Sequence, residues 1–250
     1  MSYSRPIIIE LFAELFFEPG SFQFAQFFDV VPSLHDLGFT EVESAEVAQF
    51  EADTATQQIR PAVRQPRVTC WSSDRTRLVQ LIPDNIVMNL VSPDATYPGW
   101  NTFLTTVVHP AIESVKRLKS RPRVASVALN AVDRFTFRLS DGPLGEYLNC
   151  GGPRIPAILA DTVQPFDYDI GRGLLPVNAR NRQIHINGWP DATEYTVNIH
   201  TVFHEKLGDD EYPEAKLEKL HDDANATFET LITDRLRNEI MKGRVHAARV

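Results

Sequence analysis

The chain has 250 residues, 43% of them hydrophobic and 23% charged, with a formal net charge of −8. That composition supports one buried core and excludes a disordered or fibrous chain, while the negative balance opposes sequence-blind binding to the phosphates of nucleic acid. Two cysteines, Cys70 and Cys150, are too few for a disulfide framework or a four-thiolate zinc site and suit a reducing compartment.

The first element is predicted from strict alternation. In "PIIIELFAELFFEPG", residues 6–20, Ile7, Ile9, Leu11, Ala13, Leu15 and Phe17 fall on one side of an extended chain and Glu10, Phe12, Glu14, Phe16 and Glu18 on the other, the period-two pattern of a long strand. Successive carboxylates on that face stand ~13 Å apart at ~3.3 Å per residue, too far to share a proton or a metal. They read as the half-solvated face of an antiparallel sheet. The acidic residues also distinguish this stretch from a secretory leader, and no apolar run approaches the roughly 20 residues of a membrane helix. A cytoplasmic protein without a membrane contact is expected.

After Pro19 and Gly20, a helix is predicted with Ser21 as N-cap and an apolar stripe of Phe24, Phe27, Phe28 and Val31, kinked or restarted at Pro32 and ended by Gly38. Residues 51–66 read as a loop or a frayed strand pair. Residues 67–91 split at "SSDRT" and "PDN" into three short strands with the spacing of a meander. Over residues 97–120, Phe103, Leu104, Val107, Val108, Ile112 and Val115 recur at helical spacing.

A strand over 124–139 follows, then a turn at Asp141 and Gly142, a Pro/Gly-rich passage, and strands at "RQIHIN" and "EYTVNIHTVF". The closing helix starts at Pro213 and runs through "NEIM", burying Leu217, Leu220, Ala224, Phe228, Leu231 and Leu236. The expected fold is α+β: an antiparallel sheet with long helices packed on one face, as a single domain over residues 1–250, with similar halves at 1–122 and 123–250 as its internal plan.

Three stretches, "PIIIELFAELFFEP", "SSDRTRLVQLIPDNIVMNL" followed by "YPGW", and "LEKLHDDANATFETLIT", together resemble a sporadically distributed prokaryotic family of proteins of about this length. The resemblance implies a fold and a prokaryotic source and carries over no catalytic residue. The chain departs from the family pattern at "VALNAVDRF", where Leu129, Asn130 and Ala131 replace an aromatic-Ile-Asn run followed by a basic residue.

Chemistry is sought first at the histidines. His200 and His204 share a strand face, again ~13 Å apart and too far to ligate one metal; His185 comes near if its strand pairs with theirs. His221 precedes Asp222 and Asp223 without a visible third, orienting group. Neither cysteine carries a His-partner signature, no Gly-x-Ser-x-Gly elbow occurs, and "NCGGPRIP" lacks the Lys-Ser/Thr of a phosphate loop and reads as a turn. No catalytic residue, metal site or cofactor is assigned.

The densest charge feature is "SVKRLKSRPR", with Lys116, Arg117, Lys119, Arg121 and Arg123 at a predicted helix C-terminus. The macrodipole alone favours cations there. The alternative is a docking patch for phosphate or an acidic partner, joined by Arg180 and Arg182. The leading expectation is a non-enzymatic interaction or regulatory protein that binds another protein, in a defence or toxin-neutralising locus, with self-association through opposite charge patches as a variant. The rival is a small-ligand binder or enzyme with an apolar cavity between sheet and helices, lined by Trp71, Trp100, Phe135 and Phe137. Nucleic-acid binding through the basic cluster is a third reading.

Overall fold

The computed structural model describes residues 7–53, 58–91, 97–151, 155–170, 181–208 and 211–241; the side chains of 47–53, 58–64, 170, 181, 182 and 241 also lie outside the description. Among the described residues nine strands form one sheet: β1 Ile8–Phe17, β2 Glu41–Asp53, β3 Gln58–Trp71, β4 Arg77–Ile82, β5 Asn85–Val91, β6 Val124–Arg138, β7 Phe166–Ile170, β8 Asn181–Asp191 and β9 Glu194–Lys206. Their order is β2-β3-β4-β5-β1-β6-β9-β8-β7, and every neighbouring pair is antiparallel. The first strand of the sequence is therefore the middle of the sheet. Its alternation has to satisfy a neighbour on each side, β5 and β6.

Pairing register aligns the apolar positions into rows. Met88, Ala13, Leu129 and Phe203 follow one another across β5, β1, β6 and β9, and Ile86, Leu15 and Val127 form the next row. All seven are buried. They share one core with Phe27, Val30 and Leu34 of helix α1 (Phe24–Asp36), with Phe103 to Val115 of the helix running from 100 to 116, and with Leu217, Leu220 and Ala224 of helix α4 (Pro213–Leu231). A second core under β6, β8 and β9 joins Phe135, Phe137, Ile186, Tyr195 and Val197 to Leu144, Tyr147, Leu148, Leu231 and Leu236. Among the described residues, the helical side chains of both cores thus lie on the side of the sheet that the odd-numbered residues of β1 face. The first core draws strands and helices from both sides of residue 122.

The helix over 100–116 consists of α2 Trp100–Phe103, a π-helical stretch Leu104–Val108 and α3 His109–Lys116. Pro110, in the first turn of α3, cannot supply an N–H to the preceding turn, which coincides with the wider winding before it.

Two details differ from the sequence reading. The cap of α1 is Gln23, whose N–H donates to Gln26 Oε1 at 2.7 Å, whereas Ser21 Oγ is engaged with the Glu18 carbonyl at 2.7 Å in the preceding turn. Starting two residues later rotates the buried stripe to Phe27, Val30 and Leu34, and leaves Phe28 68% exposed and Phe24 42% exposed. The closing helix stops at Leu231, because Ile232 turns extended and bridges to Leu148; a separate π-helical turn then spans Leu236–Met241. Of the two readings of residues 51–66, a loop or a strand pair, the structure has the strand pair: they fall largely in the β2–β3 hairpin, which pairs out to Asp53 and Gln58.

Candidate functional site

The even-numbered face of β1 carries no helix among the described residues. Register again dictates what stands there. Phe12 lies opposite Asn89 on β5 and Asn130 on β6; Glu14 lies between Val87 and Ala128; Phe16 lies opposite Asn85 and Ser126. On β9 the same face holds Asn198, His200, Val202 and His204, and on β8 and β7 it holds His185, Asn187, Asp167 and Asp169.

Two copies of one arrangement emerge, four residues apart along three strands. In the first, Asn89 Nδ2 donates to Glu10 Oε1 at 2.5 Å, and the Phe12 ring lies 6.3 Å from the His200 ring. In the second, Asn85 Nδ2 donates to Glu14 Oε2 at 3.3 Å, and the Phe16 ring meets His204 edge-on at 5.5 Å. Asn130, itself buried, adds a donor to Glu14 Oε1 at 3.1 Å. Each carboxylate is thereby held by a side-chain amide of β5, and the aromatic residue two positions on in β1 packs against an imidazole of β9. Among the described residues no lysine or arginine pairs with Glu10 or Glu14.

Burial lowers the pKa of His200 and of His204, with the His185 imidazole adding to the effect at His200; the nearby Glu10 and Glu14 carboxylates pull the other way. Both rings are therefore neutral at pH 7. His204 Nε2 is 2.9 Å from Ser126 Oγ, while His200 Nε2 is buried without a partner. The same holds on this face for Asn85 Oδ1, Asn89 Oδ1, Trp71 Nε1 and Arg67 Nε. A buried polar atom left unpaired costs about 1–3 kcal/mol, and such groups normally find partners. Five on one helix-free surface mark it as chemically unfinished.

Toward the β7 edge the polar groups form a continuous chain. His185 stands opposite His200, with Nδ1 2.8 Å from Asp169 and Nε2 3.2 Å from both Asp167 Oδ1 and Asn187 Nδ2. Asn187 Oδ1 accepts from Asn198 at 3.2 Å, and Asn198 Oδ1 accepts from Arg134 Nε at 2.8 Å. His185 and His200 do approach through strand pairing while His204 stands four residues farther along β9, and no group of three or more His, Cys, Asp or Glu among the described residues is placed to hold a metal ion.

The basic cluster lies at the end of α3 and beyond, and much of it is neutralised. Lys116 pairs with Glu113 at 3.0 Å and Glu214 at 3.3 Å, Arg117 donates to Ser33 Oγ at 3.1 Å, and Arg123 meets Glu18 at 3.4 Å. Lys119 and Arg121 are exposed. Arg180 lies outside the described residues, and of Arg182 only the backbone, on β8, is described.

The four aromatic residues expected to line one cavity do not meet. Trp71 lies on the helix-free face beside Leu78, with the Arg75 guanidinium 5.5 Å above its ring. Trp100 lies on the helical side, stacked on His221. Phe135 and Phe137 pack into the second core, Phe137 at 4.2 Å from Tyr147. Strand register separates them, because Trp71 and Phe135 have opposite parity relative to the core. A shallow depression of about 250 Å3 occurs elsewhere, at the start of α4, lined by Glu211, Tyr212, Ala215, Lys216 and Lys219.

The Glu10/Asn89 and Glu14/Asn85 repeat could not be found in the sequence, since its members come from segments some seventy residues apart. Only the matching spacing of Asn85 and Asn89, and of His200 and His204, hinted at it. No family model, no curated protein and no solved structure matches the chain.

Proposed function

We propose that the chain is a non-enzymatic interaction protein that binds a partner protein on the helix-free face of its sheet. The observation that carries this reading is the set of buried, unpaired polar atoms on that face, at Arg67, Trp71, Asn85, Asn89 and His200. Side chains that turn outward to meet a partner's donors and acceptors recover a cost the free protein bears. The face is also mixed in character, with Phe12 and Phe16 among amides and carboxylates, as recognition surfaces are. A partner encoded beside it, in a prokaryotic defence or toxin-neutralising locus, is the setting that the sequence resemblance suggests.

The test is co-expression of the full chain with the products of its flanking genes, followed by purification and sizing. Val132→Arg places a large cation in the middle of the face, opposite His200, and is expected to abolish the complex. Lys119→Glu, on the exposed loop beyond α3, is expected to leave it intact. Recovery of the monomer alone, or loss of the complex by Lys119→Glu and not by Val132→Arg, overturns the proposal.

A further inference from the structure

We infer that the partner segment seated on this face is an extended polypeptide carrying two arginines four residues apart. The inference rests on the interaction reading above and specifies its chemistry. Three observations lead to it.

The first is the repeat itself. Glu10, Asn89, Phe12 and His200 recur as Glu14, Asn85, Phe16 and His204, offset by four residues on β1, β5 and β9 alike. Four strand residues span ~13 Å. Another extended chain lying along β1 repeats at the same rise, so side chains at i and i+4 leave it on one side and reach both units together.

The second is the charge and its missing counterpart. Glu10 and Glu14 are oriented by amide donors and have no cationic partner among the described residues. Cations of the same face among the described residues include Arg67, Arg134 and Lys206, on β3, β6 and β9, and none of these pairs with Glu10 or Glu14; Arg134 is engaged with Asn198.

The third distinguishes arginine from lysine. Beside each carboxylate an amide oxygen, Asn89 Oδ1 or Asn85 Oδ1, is buried without a donor. Asn89 is 8% exposed. A guanidinium is a planar fork of donors that satisfies a carboxylate and a neighbouring carbonyl at once, and its plane stacks on an aromatic ring such as Phe12 or Phe16. An ammonium is a point charge and does neither as well.

The experiment measures binding of short fluorescent peptides to the 250-residue chain by anisotropy. The reference peptide is a Ser/Thr-rich extended sequence with arginines at i and i+4. Replacing either arginine by alanine, or Glu10→Gln or Glu14→Gln in the protein, is expected to weaken binding about tenfold, the loss of one charge-assisted contact. Moving the second arginine by one position turns it to the opposite side of the strand and is expected to weaken binding equally. The Gln variants keep an acceptor for the asparagine amides, so circular dichroism melts report whether the fold is retained. No binding of the reference peptide, equal binding of the lysine or register-shifted peptide, or full binding by the Glu10→Gln/Glu14→Gln double variant overturns the inference. If Val132→Arg abolishes the native complex while the double Gln variant retains it, the face reading stands and the arginine assignment falls. If neither change affects the complex, both fall.

Discussion

The imidazole of His221 lies flat on the indole of Trp100, with ring centroids 4.2 Å apart and planes within 6°. The two residues open α2 and occupy the middle of α4, so the stack fastens the long helix to the helix over 100–116. His221 Nε2 takes a hydrogen bond from Asn225 at 3.0 Å, and burial holds its pKa below the usual imidazole value. A double-mutant cycle of Trp100→Leu and His221→Leu in urea is expected to give a coupling of about 0.5–1.5 kcal/mol. With the folded-state pKa depressed, the unfolded chain binds the proton first, so His221 makes the protein less stable as pH falls below about 6.5. His221→Leu is expected to flatten that part of the pH profile.

Asp133 is the one carboxylate on the core face of β6, 5% exposed between Phe135 and Ala131. Burial pushes its pKa up to about 7; Tyr97 is raised by its own burial first and by the Asp133 charge second. The folded state therefore holds the proton more tightly than the unfolded one. Stability is greatest while both forms are protonated, declines as pH rises from about 4 to about 7, and levels off above that, with a total cost on the order of 4 kcal/mol. Asp133→Asn is expected to raise the melting temperature at pH 8 and to leave it nearly unchanged at pH 4. An equal shift at both values contradicts this account.

Gly188, on β8, leaves no room for a side chain. A Cβ there would lie 2.6 Å from Phe166 and 2.7 Å from Tyr195. Both contacts are with ring carbons, and Tyr195 is fixed by its hydroxyl donating to the Gln164 carbonyl at 2.6 Å. The strain falls on the short edge strand β7. Gly188→Ala is expected to cost about 1–3 kcal/mol, with amide exchange faster in 166–170 than in β1 or β6.

Asp84 sits in the β4–β5 turn at φ +58° and accepts the N–H groups of Gly20 at 2.6 Å and Phe22 at 3.0 Å. One carboxylate thus fixes the turn that sends the chain from β1 into α1. Asp84→Ala removes both bonds and leaves a residue poorly suited to positive φ, for an expected loss of about 2–4 kcal/mol. Asp84→Asn keeps one acceptor and tolerates that backbone conformation, so a smaller loss is expected. Chemical denaturation of the three proteins separates the two contributions.

Much of the framework was legible because strand and helix periods write themselves into a sequence. The alternation from Ile7 to Phe17 specified β1 and its core face, and Leu217, Leu220 and Ala224 specified the buried stripe of α4. Where the reading missed, local hydrogen bonds decided. Gln26 chose the start of α1, and the Leu148–Ile232 bridge chose the end of α4. Composition could not weigh these against Ser21 or against a continued apolar stripe.

By itself the sequence determined an antiparallel sheet with helices on it, and that Glu10 and Glu14 point away from the core, since parity along a strand is a local property. It also led to reading those carboxylates as mere solvation. Tertiary structure supplied their partners by placing β1 between β5 and β6 and bringing Asn89, Asn85 and Asn130 to them. Strand order is set by how the whole chain buries its apolar rows, a global optimum that no window of residues contains.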